Sequence, residues 1–156
     1  MPAVAVIGPA HEAVLAKVRA IVAGATFEIA PSTPPARGAV AVFEGAATNG
    51  TPAPYVIVGG SSVETPYHTM GRPDGARWGG SVEVPVRLVT RYPTTEAQTF
   101  RIWQQIRAGL DEQPLTVEGF NDVSVTVGQA RLLTDLVAQV VTRELVALVD
   151  VHAHQQ

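Results

Sequence analysis

Apolar positions along the chain of 156 residues change their period several times, and each change predicts an element. From Pro9 to Ala23, the residues Val14, Leu15, Val18, Ile21 and Val22 recur at helical spacing. Pro9 suits the first turn, where its missing N–H has no helical acceptor to lose, and Gly24 suits the exit. Residues 25–53 hold Pro31, Pro34, Pro35 and Pro52. Such density interrupts any long element and predicts a loop with one short strand, Ala39 to Phe43. Tyr55 to Val58 is continuously apolar, the pattern of a strand covered on both faces or held in a tight interface. Glu64 to Gly80 shows no period at all. An irregular stretch of that length in a compact domain is functional or disordered rather than a plain connection.

Ser81 to Val89 alternates, with Val82, Val84, Val86 and Leu88 on one face. Ser81, Glu83, Pro85, Arg87 and Val89 point the other way, and Pro85, which cannot donate to a ladder, predicts an edge or a bulge. The following helix carries the clearest local signal: Thr95 is the N-cap, and Gln98 three residues later completes a capping box. Ala97, Phe100, Trp103, Ile106 and Leu110 form its apolar stripe, with Glu96, Arg101, Gln104, Gln105 and Asp111 outward. After Pro114, Leu115 to Val127 reads as two strand pieces around Glu118-Gly119. The last segment, Leu132 to His152, supports two readings. Leu132/Leu133, Leu136/Val137, Val140/Val141 and Leu145 recur at helical spacing, yet Gln139 to Val151 alternates and is rich in β-branched residues. We favour a long final strand from about Gln139, with a helix as the second choice. No internal repeat or low-complexity segment is present.

Length fits one domain and is short for two. The chain has no cysteine, which removes disulfide staples, thiolate zinc sites and a Cys nucleophile, and permits a reducing compartment. A formal net charge of −3, with Lys17 alone among ten arginines and no cationic cluster, argues against a dedicated nucleic-acid binder. No apolar run approaches the ~20 residues that cross a bilayer, and the N-terminus lacks a cationic leader. A soluble, cytoplasmically made protein without a membrane association is expected.

Candidate chemistry is sparse. Val4-Ala5-Val6-Ile7-Gly8 ahead of a helix has the outline of a dinucleotide-binding unit, which would make the chain a small-ligand or nucleotide-binding enzyme. Pro9-Ala10-His11 replaces the glycines that such a loop needs, and Pro9 removes a donor. His152 and His154 share a strand face and can chelate a metal, but Asp150 is the one nearby carboxylate. They read better as part of a solvated tail. Ser, His and Asp occur without any motif that links them. No catalytic, cofactor-binding or metal-ligating residue is assigned. The long polar stretch holds Tyr67, His68, Met70, Arg72, Arg77 and Trp78, several of them interface-enriched types, and is the candidate protein-contact loop.

The order of these motifs carries a resemblance. Pro54-Tyr55-Val56-Ile57-Val58-Gly59 is followed by Val82-Glu83-Val84-Pro85-Val86-Arg87-Leu88-Val89-Thr90-Arg91, by the helix through Ala97, Ile102, Ile106 and Leu110, by Leu115-Thr116-Val117-Glu118-Gly119, and by Leu145 to Val151. This resembles the tail-terminator, or tail-completion, proteins of long-tailed phages and related gene-transfer particles. The chain departs from that pattern in its longer N-terminal loop and in the apolar run Ala130 to Val141. The resemblance implies an α+β fold: a single domain over residues 1–156, with a mixed, mostly antiparallel sheet and helices packed on one face. It implies a structural virion protein, not an enzyme, needing no cofactor and assembled in the bacterial host cytoplasm. Its expected partners are copies of itself in a ring, typically hexameric, the tail tube protein and the head-tail connector and other neck proteins. DNA would pass through such a ring without specific binding. Another neck protein, a head-completion adaptor or stopper, is the alternative within the same class.

Overall fold

The fold is taken from a computed structural model, in which residues 5–66 and 79–155 are described. In chain order the elements are α1 (Ile7–Ala23), β1 (Phe27–Ala30), β2 (Ala36–Gly38), β3 (Ala41–Glu44), β4 (Tyr55–Val58), β5 (Val63–Pro66), β6 (Gly79–Arg91), α2 (Glu96–Leu110), β7 (Asp122–Val127), β8 (Arg131–Val137) and β9 (Val140–His154). The main sheet is seven-stranded, in the order β3-β4-β6-β9-β7, with β5 also on β6 and β8 also on β9. Among the described residues only its β3–β4 pair is parallel. This is the expected α+β architecture.

The axis of the sheet is the β6–β9 pair, matched without a break from Gly79↔His154 to Arg91↔Thr142. Because side chains alternate along both strands, one face collects Val82, Val84, Val86 and Leu88 with Leu145, Ala147, Val149, Val151 and Ala153, all buried. Onto that face pack α1, through Ala10, Val14, Leu15, Val18 and Val22, and α2, through Ile102, Trp103, Ile106 and Leu110. The helices approach each other closely at Gly109, where a Cβ would lie 2.6 Å from Cδ1 of Ile21. Half of the opposite face has its own small core. Tyr55, Ile57 and Val89 are buried there under Phe43, Ala47 and Ala53. Phe43 meets Tyr55 edge to face at 5.9 Å, and the Arg91 guanidinium lies 5.7 Å from the Tyr55 ring centre. Hence β4 is buried along its whole length, as its unbroken apolar run predicts.

Several expectations are corrected. The proline-rich segment folds as a hairpin, β1 with β2, in addition to the short strand β3. Phe27, fully buried, anchors that hairpin in the core, and Pro34 and Pro35 fall in the connection, where no ladder donor is needed. Pro85 lies in the central strand β6 rather than on an outer edge. The carbonyl of Pro85 accepts from Gly59 N–H at 2.8 Å, and the same side of the residue faces the gap between the end of β4 and the start of β5. A missing N–H costs nothing in that gap, so the proline finds a local edge inside the sheet.

The α2 cap is as predicted. Thr95 Oγ1 accepts from Gln98 N–H at 3.1 Å, and Thr95 N–H donates to Gln98 Oε1 at 3.0 Å. The buried face of the helix is rotated from the expected stripe: Ala97 and Phe100 are exposed, while Gln98 and Thr99 are buried with Ile102, Trp103, Ile106 and Leu110. The two polar residues are buried because their polar atoms are bonded, Gln98 in the cap and Thr99 to Thr90 and Thr95. Leu115 to Val127 contributes one strand, β7, not two, although Val117 is buried in the loop before it. The final strand begins at Val140, close to expectation. The segment before it is strand β8, not helix, joined to β9 by a two-residue turn in which Ala138 and Gln139 have φ of 49° and 64°. Positive φ at both positions is the twist that a tight hairpin requires.

Candidate functional site

All six residues of the predicted contact loop, Tyr67, His68, Met70, Arg72, Arg77 and Trp78, lie outside the described residues. The points where that segment leaves and rejoins the fold are described. Its stems, β5 and the start of β6, are paired antiparallel with Pro66 opposite Gly80, so the segment departs from and returns to one end of the sheet. Gly79, its exit, is pressed against β9: a Cβ there would collide with the Ala153 carbonyl oxygen. Pro66 and Gly79, which flank that segment, therefore lie at the same sheet end as His154 and Asp122, which pair across β9 and β7.

The other candidates separate. His152 and His154 belong to β9, flanked on both sides by β6 and β7, and are not a frayed tail. Ser81 and Ser124 stand opposite His152, and Glu83 opposite Asp150. Among the described residues no group of three His, Cys, Asp or Glu is placed to hold a metal ion. The nucleotide reading of the N-terminal segment meets a specific obstacle. Gly8 sits inside the first turn of α1 rather than in a loop before it, and Ile7 N–H donates to a Glu64 carboxylate oxygen at 3.0 Å. The chain's own carboxylate thus occupies the helix terminus at which a phosphate would dock.

A groove of about 390 Å³ runs between α2 and the β1–β2 hairpin, lined by Thr26, Glu28, Arg37, Arg101, Gln105 and Ala108 among others. Its charges are turned on one another. Glu28 takes Arg101 at 2.7 Å and Arg37 at 3.5 Å, latching the hairpin to the helix.

Edges distinguish this sheet more than clefts do. The C-terminal half of the outer edge of β7 is covered by the end of α2. Val127 N–H donates to Asp111 Oδ1 at 2.8 Å, and Val125 carbonyl accepts from Glu112 N–H at 3.0 Å. Strand β8 continues the same edge and has no strand on its far side among the described residues. Leu132 packs against the core, whereas Arg131, Leu133, Thr134, Asp135 and Leu136 are open to solvent, Leu133 at 47% and Leu136 at 66% exposure. Sequence reasoning missed this edge, although the run Leu132-Leu133 to Leu136-Val137 advertised it as apolar surface beyond what one core needs. Leu148 and Val63 extend the exposed apolar surface on the sheet face away from the helices.

Comparison with known proteins gives one kind of answer. No family model matches the sequence, and no curated protein matches it. A solved structure does match in fold: a chain of the structure titled "Virion of native gene transfer agent (GTA) particle" superposes with a TM-score of 0.61 at 16% identity. The superposition takes in 95% of this chain and 98% of that one, so the two share a fold from end to end.

Proposed function

We propose that this chain is a structural virion protein of the phage type, which caps a tail tube and joins tail to head as an oligomeric ring. The end-to-end fold match to a chain of a gene transfer agent virion particle carries the reading. The match takes in 95% of this chain and 98% of that one rather than a local motif. The motif order of the sequence supports the tail-terminator assignment within that class. The sheet is compatible with a ring, because its two ends are unlike: β3 at one side, β7 and β8 at the other. Two different surfaces pairing head to tail close into a ring when the rotation permits. In this reading the ring is hexameric, the loop holding Tyr67, Met70 and Trp78 contacts the tail tube, and the opposite surface meets the head connector.

Light scattering behind size exclusion, with negative-stain images of the same fractions, tests the ring. Particles of about six subunits with a central hole, alone or on addition of purified tail tube, are expected from closed head-to-tail pairing. A chain that stays monomeric with the tube and binds only the head connector would instead be a head-completion protein. Deleting residues 67–78 and closing Pro66 to Gly79 with a short glycine-serine link tests the loop. The domain should stay folded, because β5 and β6 keep their pairing, while particle joining is lost. Unimpaired joining by that variant overturns the loop assignment.

A further inference from the structure

We propose that the open edge of β8 pairs with the β8 edge of a second copy of this chain, antiparallel about Leu133, with Arg131 of each copy against Asp135 of the other. Val137 pairs with Val140 across a two-residue connection, so the odd positions of β8 turn their N–H and C=O groups to β9. Leu132, Thr134 and Leu136 turn theirs to the open edge. One of those groups confirms the direction: Leu136 N–H donates to Asp135 Oδ1 at 2.8 Å. The rest of that edge meets no partner among the described residues, and an exposed unpaired edge is a surface for strand addition.

Charge selects the occupant. Arg131, Leu133 and Asp135 lie on one face of β8, the same face as Val146 and Glu144 across the ladder. Arg131 and Asp135 are about 13 Å apart along the strand, too far to meet within one chain. Neither makes an ion pair among the described residues. In an antiparallel copy centred on Leu133 the geometry reverses. Arg131 falls opposite Asp135 at both ends, Leu133 falls opposite Leu133, and the outward backbone of Leu132 matches that of Thr134. Shifting the centre to Thr134 would instead set Leu133 against Asp135 and Arg131 against Val137, so the charge pattern fixes the register. Asp135 holds Leu136 with Oδ1, which leaves Oδ2 for the guanidinium. The contact is isologous and closes at two copies, so it does not rest on the ring reading and would pair free chains, or one ring with another.

The opposing view of the same residues is that Arg131 and Asp135 only guard the edge against association, and the experiment separates the two. Sedimentation equilibrium of the full chain over a dilution series should show mass rising from one unit to two, the unit being the chain or the ring. Arg131→Asp and Asp135→Arg each replace two attractions by two repulsions and should weaken pairing about tenfold. The double variant R131D/D135R restores both attractions and should return the dissociation constant to near the starting value. Thr134→Pro removes an N–H that faces only the open edge, so pairing should be lost while the melting temperature of the diluted protein is little changed. Higher salt should also weaken pairing. Absence of any doubling, a double variant as weak as the singles, or full pairing by Thr134→Pro would each overturn the proposal.

Discussion

The deepest test of how α2 is held to the sheet is a pair of hydroxyls. Thr90 of β6 and Thr99 of α2 are both fully buried, and their Oγ1 atoms are 2.7 Å apart. Thr99 Oγ1 is also 2.9 Å from the Thr95 carbonyl oxygen, which can only accept. A hydroxyl has one proton. Thr99 spends its proton on that carbonyl, so Thr90 must be the donor between the two threonines. Thr99→Val therefore strands a buried O–H with no acceptor, whereas the Thr95 carbonyl keeps the backbone N–H of Thr99 at 2.9 Å. The expected loss is about 2 kcal/mol. Thr90→Val leaves Thr99 with its proton still bonded and merely one lone pair unfilled, for about 1 kcal/mol. The double variant T90V/T99V leaves no orphan hydroxyl and should cost less than Thr99→Val alone, because both polar partners have gone together. Urea unfolding followed by circular dichroism at one fixed protein concentration reads all three from the midpoint, provided the slope is unchanged. A larger loss for Thr90→Val than for Thr99→Val, or additive losses, would refute the proton assignment and the reasoning built on it.

Two further predictions concern single contacts. Gly109→Ala should lose stability even though alanine is favoured over glycine within a helix by about 1 kcal/mol, because its Cβ would press on Ile21 Cδ1 and Cγ1 at 2.6 and 2.7 Å. In an Ile21→Ala background the same change should become stabilising, and thermal melts of the four proteins would show the reversal. Glu64→Gln keeps an acceptor for Ile7 N–H but removes the negative charge from the start of α1. It should lower the urea midpoint by an amount equivalent to at most about 1 kcal/mol, and less in high salt. A midpoint insensitive to salt in both proteins would show that the charge contributes nothing there.

What was legible in the sequence is what local chemistry decides. Thr95 and Gln98 announce the start of α2 because a capping box is satisfied by its own backbone, whatever surrounds it. Val82 to Leu88 announces β6 because one face must be apolar against two helices. The face of α2 was misread for a related reason. Hydrophobicity alone places Phe100 inward and leaves Thr99 out of the apolar stripe, and only the partner at Thr90, nine residues earlier on another element, makes burial of a threonine inexpensive. Strand β8 was hidden by coincidence of period. Apolar pairs at 132/133, 136/137 and 140/141 satisfy a helix, and Ala138-Gln139 lacks the asparagine or glycine that marks a tight turn. Pro85 obeyed its rule in a place the sequence does not show, since the gap between β4 and β5 exists only once both strands have docked on β6.

The candidate site was less legible than the fold, because an assembly surface is defined by what the rest of the chain leaves uncovered. Along one continuous edge the protein treats two strands oppositely. Asp111 and Glu112, at the end of α2, bond to the backbone of β7 at Val127 and Val125 and cover that half of its edge. With three residues between them, β8 follows β7 beyond the reach of that helix end, and the edge opens. Had the aim been only to prevent association, the inexpensive solution was a charge at the centre of β8. The uncharged Thr134 stands there instead, beside Leu133, which has Arg131 and Asp135 two residues to either side. Charges of one sign at these two positions would repel in the register centred on Leu133; opposite signs attract in that register and set like charges opposite only when the centre moves to Arg131 or Asp135. The arrangement of these three residues is therefore better understood as selecting a partner strand than as excluding all of them.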